Sequence, residues 1–284
     1  MEKVFIFLQY CLPQHALSRL LGHIASSKNK LVKGLLIRLF KAKFAITLDE
    51  AERKSVSDYH SFNDFFCRAL EKGARNIDPE TNSIVSPADG CFSQLGSIEN
   101  GRIFQAKGQS YSAQELLADS EAAEIYQDGE FATIYLSPKD YHRVHMPCAG
   151  TLKQMSFVPG KLFSVNQVTA EHVPRLFARN ERLVCHFDTE FGPMAMVLVG
   201  AMVVASIETT WAGTIAPAGK NVQHTSFAAD KLSFDKGEEM GRFKLGSTVI
   251  LLFPKNSLHW QDKHRANSPV RMGEKIAELI NSQP

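Results

Sequence analysis

Along this chain the spacing of apolar positions changes character twice. In residues 1–45, Leu, Ile and Phe recur with lysine and arginine between them. The stretch LVKGLLIRLFKAKF (Leu31 to Phe44) predicts a helix whose apolar side chains share a broad arc, with Ile37, Phe44 and Lys43 off that pattern. SDYHSFNDFFCRAL (Ser57 to Leu70) predicts a short helix with Asn63 and Asp64 near its cap. Its buried side would be Phe62, Phe65, Phe66 and Leu70. From about residue 83 the chain turns to short apolar runs punctuated by Gly, Pro and Asp, which predict strands. These runs are FATIYLSP, GTLKQMSFVPG, RLVCHFDTEFGPMAMVLVGAMVVASIET and STVILLFP. Phe191-Gly192-Pro193 divides the third run and predicts a hairpin. MAMVLVGAMVVASI is too uniformly apolar for a strand with one face in water, so a core is expected around it. Helical signals return at 113–122 and 273–281. Leu162 to Phe177 is expected to be a flexible loop, because Val173-Pro174 opposes a continuing helix. The expected fold class is α+β: a β-rich domain, barrel- or sandwich-like, over 57–284, behind a helical segment over 1–56.

Composition narrows the function classes. The 284 residues nearly balance in charge, at +2, which gives no support for nucleic-acid binding. The basic residues are unevenly placed: 1–45 holds eight Lys or Arg and a single acidic residue, Glu2. Basic amphipathic helices lie on anionic membrane surfaces, and they also pack on a protein's own core. No apolar run is long enough for a transmembrane helix, and MEKVFIFLQYCLPQH is not expected to be a signal peptide. The five cysteines form no CxxC pair, so reduced thiols are expected instead of a disulfide framework or a zinc ribbon.

Three places carry chemistry-bearing residues. In FKLGSTVILLF, the triplet Gly246-Ser247-Thr248 abuts a strand-like run. A glycyl carbonyl is sterically open, and a serine hydroxyl beside it is already at high effective concentration. The same triplet is also the composition of an ordinary turn. SPKDYHRVHMP holds His142 and His145; in extended chain their side chains point to opposite faces, so acid–base work suits them better than one shared metal. SPADG places Asp89 on a turn, and a buried carboxylate is what orients a histidine base.

Four segments in this order, SFNDFFCRAL, SPADG, SPKDYHRVHMP and KGEEMGRFKLGSTVILLFP, closely resemble the signature segments of the bacterial, pyruvoyl-dependent phosphatidylserine decarboxylases. The resemblance runs from about residue 57 to 254. It implies a proenzyme that cuts itself between Gly246 and Ser247, giving a β chain 1–246 and an α chain 247–284. Ser247 would attack the Gly246 carbonyl, and elimination of the ester would leave dehydroalanine, which hydrolyses to a pyruvoyl group. His145 would take the Ser247 proton, Asp89 would hold that imidazole, and His142 would serve the decarboxylation step. The pyruvoyl group, covalent and derived from Ser247, would condense with the amine of phosphatidylserine, and phosphatidylethanolamine would result. No metal and no pyridoxal phosphate are expected, and no P-loop or Rossmann glycine motif is present. The resemblance further implies an α–β heterodimer, able to pair into a dimer of heterodimers, peripheral on the cytoplasmic side of the inner membrane. Two rival readings are a serine hydrolase, which lacks its G-x-S-x-G elbow here, and a non-catalytic membrane-binding module.

Overall fold

Strand Ser247–Phe253 is the hub of the molecule. The computed structural model describes residues 2–202, 206–215, 219–227, 229, 231–244 and 247–280. The hub strand pairs antiparallel with Glu130–Leu136 on one side and Gly192–Val199 on the other, and all seven of its residues are buried. Its side chains alternate between two cores: Val249, Leu251 and Phe253 enter one, Ile250 and Leu252 the other. Gly192–Val199 repeats this, with Met194, Met196 and Leu198 on one face and Ala195, Val197 and Val199 on the opposite face. Both faces of the sheet are therefore dry, which is why these runs are apolar throughout and do not alternate.

The main sheet has nine antiparallel strands. From Gln223–Ser226 at one edge it passes through Gly150–Val158, Arg182–Thr189, Gly192–Val199, the hub, Glu130–Leu136 and Gly90–Ser97 to Pro269–Val270. Ser233–Phe234 also pairs with Gly150–Val158. The order has two ends, so among the described residues the sheet does not close into a barrel. Arg182–Thr189 and Gly192–Val199 form the expected hairpin, with Thr189 opposite Gly192 and the glycine at φ +103°. A smaller sheet joins Gly213–Thr214, Ile207–Thr209, Glu239–Phe243 and Arg143–His145.

Two local expectations are corrected. Lys275–Leu279, within the stretch read as helical, is a strand between Ser83–Val85 and Leu258–Trp260. Five residues with Ile276, Ala277 and Leu279 buried fit either period, and pairing on both sides decides for the strand. Leu162 to Phe177 is not an open loop. It carries helix Gln167–His172, which Val173 caps ahead of Pro174, and Phe163, Val165, Val173 and Phe177 are buried in the second core. The 113–122 signal becomes two short helices, Ala113–Leu117 and Ser120–Glu124, separated at Ala118 with φ 54°.

At the N-terminus, α1 (Glu2–Cys11), α2 (Gln14–Ala25) and α3 (Lys30–Phe44) are followed by α4 (Phe62–Phe66). Asn29 caps α3 by accepting from the N–H groups of Leu31 and Val32, and Ser61 caps α4 by accepting from Asp64 N–H. Ile37 is fully buried, and Phe40 and Phe44 pack with it against Tyr59, Phe62, Phe65 and Phe66. Residues that break the expected apolar arc of α3 thus face the protein, while Leu31, Leu35 and Leu39 are exposed on another side. Gln9 and Gln14, both buried, tie α1 and α2 to the body by accepting from the N–H groups of Ser164 and Leu162.

Candidate active site

Register brings the singled-out residues to one end of the main sheet. Ser247, first in the hub strand, lies opposite Leu136, the last residue of Glu130–Leu136. On the far side of that strand Tyr135 lies opposite Cys91, so Gly90 and Asp89 stand at the same end. Asp89 is two strand spacings from Ser247, about 10 Å along the sheet. Residues 137–142 leave from this end and lead into Arg143–His145, where His145 N–H donates to Pro87 O at 2.8 Å. Gly90 is tight: a Cβ there would sit 2.4 Å from the Tyr135 carbonyl oxygen. Gly246 lies outside the described residues.

Ser247 is fully buried and its Oγ has no hydrogen-bond partner among the described residues. Period two sets its side chain on the same face as Val249 and Leu251. A buried hydroxyl without a partner costs about 1–3 kcal/mol, and such groups call for a reason beyond packing.

His142 is fully buried against the Phe66 ring, 4.0 Å between centroids. Its Nδ1 lies 2.8 Å from Asp140 O, so Nδ1 carries the proton and Nε2 keeps the lone pair. Nε2 is buried with no partner among the described residues. Burial pulls the His142 pKa down to about 3, against a smaller opposing effect of the Asp140 carbonyl. His145 is also held below the usual imidazole range by burial, partly opposed by its bond to Gly237 O. That bond, 2.9 Å from Nδ1, fixes the same tautomer, and Nε2 accepts from the Tyr141 hydroxyl at 3.0 Å. Both imidazoles are neutral near pH 7, the state a general base requires.

The carboxylate does not bond to the imidazole as expected. Asp89 is gripped by Arg75, whose Nε donates to Oδ1 at 2.9 Å, and it accepts from Met272 N–H at 2.9 Å. Glu50 pairs with the same guanidinium at 2.9 Å. Asp89 acts on His145 only through space, favouring its charged form. A fixed cation 2.5–3.2 Å away outcompetes a neutral ring for a carboxylate. Arg75 and Tyr141 were missed at the sequence level. Tyr141 stood inside a quoted motif, next to His142, whereas nothing near Arg75 signals a partner fourteen residues on.

A family model described as "Phosphatidylserine decarboxylase" matches residues 62–278, and a second, described as "PSD", matches 4–45. The phosphatidylserine decarboxylase proenzyme of Marinobacter nauticus is 55% identical over 282 residues, covering 98% of this chain and 99% of that protein. That of Pseudomonas fluorescens is 56% identical over 277 residues, 96% of each chain. That of Hahella chejuensis is 52% identical over 282 residues, 99% of this chain and 95% of its own.

The chain belongs to the phosphatidylserine decarboxylase family.

For a phosphatidylserine decarboxylase built around a serine-derived pyruvoyl group, the residues present fit. Ser247 heads a strand held on both sides, its hydroxyl has no competing bond among the described residues, and His142 and His145 follow on the segment that leaves the sheet after Leu136. Among the described residues no group of three or more His, Cys, Asp or Glu side chains is placed to hold a metal ion. No described helix is long and apolar enough to cross a membrane.

Proposed function

We propose that this chain decarboxylates phosphatidylserine to phosphatidylethanolamine, using a pyruvoyl group that it makes from Ser247 by cutting itself after Gly246. The observation that supports this reading is that, in a member of this family, Ser247 is buried and without a hydrogen-bond partner among the described residues, at the sheet end that Gly90 also reaches, while His142 and His145 lie on the segment that leaves that end after Leu136.

In self-cleavage, Ser247 Oγ attacks the Gly246 carbonyl carbon. A carbon–oxygen bond forms, the Gly246–Ser247 amide bond breaks, and the amine takes up the proton. Loss of the Ser247 Cα proton then expels the Gly246 carboxylate from Cβ, leaving dehydroalanine, which water hydrolyses to the pyruvoyl group with release of ammonia. A neutral hydroxyl needs a base to accept its proton. His145 supplies it in this reading: its tautomer makes Nε2 the acceptor, once the Tyr141 hydroxyl that now occupies that lone pair turns away. Asp89 contributes by charge and by fixing Arg75, not through a direct bond to the ring. A pyruvoyl group supplies an electron sink for the electrons left when carbon dioxide departs. His142 is the proton carrier assigned to that step, because its Nε2 lone pair has no other partner and its pocket is dry.

The N-terminal segment, 1–56, meets the bilayer. Val4, Phe7, Leu8, Leu20, Leu31, Leu35 and Leu39 are all exposed, a concentration that supports an apolar contact surface. Lys and Arg on the same helices favour an anionic lipid surface. The serine-hydrolase reading fits less well, since Ser247 is buried in the central strand and not on an exposed elbow.

Intact-mass analysis tests the proposal. Purified wild-type protein is expected as two chains, 1–246 and a 247–284 fragment that begins with pyruvoyl. A single 31.6 kDa chain with an ordinary serine that still releases carbon dioxide from phosphatidylserine would end it.

A further inference from the structure

Among the described residues Arg68 is a buried arginine with no carboxylate in ion-pair contact, only the more distant charges of Asp89 and Asp140. It is 6% exposed, and its Nη2 donates to Lys139 O at 3.0 Å. Its Nη1 is buried without a partner among the described residues. Of the other sequestered guanidiniums, Arg75 is paired with Asp89 and Glu50 and Arg143 with Glu239, while Arg182, without a carboxylate, has every guanidinium nitrogen donating to a backbone carbonyl. A buried guanidinium nitrogen with neither anion nor carbonyl to bond is expensive, so Arg68 Nη1 points to a ligand that supplies an acceptor.

Arg68 lines a cleft of about 860 Å³ that also takes in Lys139, Tyr141 and Arg271, together with five carboxylates, of which Glu50 and Asp89 are already held by Arg75. Tyr141 is the residue that holds His145, and the charge of Arg68 acts on His142, so the cleft adjoins the candidate active site. Its wall includes Ala45, Ile46 and Thr47, the residues directly after α3. The cleft thus lies next to the C-terminal end of α3.

Resting on the reading above, we infer that Arg68 binds the phosphodiester of the phosphatidylserine head group, with Lys139 and Arg271 flanking it. The head group offers two anions, and the chemistry chooses between them. The carboxylate loses its charge as carbon dioxide leaves, so a cation fixed on it would stabilise the ground state more than the transition state. The phosphodiester keeps its charge throughout, and a planar guanidinium matches two of its oxygens. Arg68 is thus a specificity-determining contact that positions the lipid.

Binding can be separated from turnover by calorimetry on the full-length Ser247→Ala protein, with glycerophosphoserine, L-serine and inorganic phosphate as probes. Glycerophosphoserine is expected to bind, and Arg68→Gln in that background to weaken it about 10- to 100-fold, the worth of a charged hydrogen-bonded contact. Arg68→Lys should recover part of the loss. In the processed enzyme, Arg68→Gln should raise KM for dispersed short-chain phosphatidylserine by a similar factor while kcat stays within about threefold. The inference falls if L-serine or inorganic phosphate binds as well as glycerophosphoserine, or if Arg68→Gln leaves affinity and KM unchanged. Should Arg68→Gln not fold by thermal denaturation, Arg68→Lys and the probe comparison on the parent protein decide in the same way. A wild-type protein that never cleaves and never releases carbon dioxide overturns the proposed function instead, a result the binding measurement does not share.

Discussion

Ser247, His142 and His145 owe their properties to dryness more than to charge. Replacing Ser247 by alanine removes an unpartnered buried hydroxyl, so stability should hold or rise by up to about 1 kcal/mol while processing stops. Thermal denaturation beside a denaturing gel checks both halves: a folded, single 31.6 kDa chain is expected. The histidines give a signed pH dependence. Each has a folded pKa below its unfolded value, so between those values the unfolded chain binds more protons and folding weakens as pH falls. For His142 that window runs from the ordinary 6.5 down to about 3. His142→Gln should flatten the acid limb of a stability–pH curve, and an unchanged slope would show that the ring is not buried neutral. Processing through a neutral His145 should be flat above pH 6.5 and slow only at more acidic pH, as the ring takes up a proton.

At the scale of elements, α3 serves two masters. Ile37→Ala should cost about 2–4 kcal/mol, because its fully buried side chain fills the cluster with Phe62, Phe65 and Phe66. Exchanging exposed Leu31, Leu35 and Leu39 for Gln should leave the melting temperature nearly unchanged yet reduce co-sedimentation with anionic vesicles severalfold. Equal sedimentation would remove this face from the membrane contact. The helical pattern in the sequence held both faces at once, which is why Ile37 and Phe44 looked like exceptions to a single arc. The strands of the main sheet were legible because runs buried on both sides stay apolar at every position, as in STVILLFP. Lys275–Leu279 was not, since its identity comes from neighbours at 83–85 and 258–260 and not from its own five residues. The residues of the proposed site could be singled out from sequence because Asp89, His142, His145 and Ser247 each stand inside a compact motif. Arg68 lay in a quoted motif but was overshadowed by its aromatic neighbours. Arg75 and the pairing that draws Asp89 away from His145 depend on tertiary approach, which local pattern does not encode.

For the whole molecule, the proposed cut falls beside the most deeply embedded strand. Residues 247–253 are hydrogen-bonded along both edges and feed two cores, and 258–260, 269–270 and 275–279 add three more strands from the same fragment. The two cleaved chains should therefore co-elute on gel filtration and separate only in denaturant. Elution of a free small fragment from native protein would contradict the pairing.

The placement of the hub strand also sets an order of events. Before the sheet forms, residue 247 has neither its neighbours nor its dry setting, so the proposed scission would have to follow folding. After it, the instructions for the fold would be divided between two polypeptides, one of them too small to form a core unaided. Maturation would then be a one-way door: uncut Ser247→Ala protein should renature from urea, whereas the mature pair, once unravelled, must find its missing centre by chance encounter.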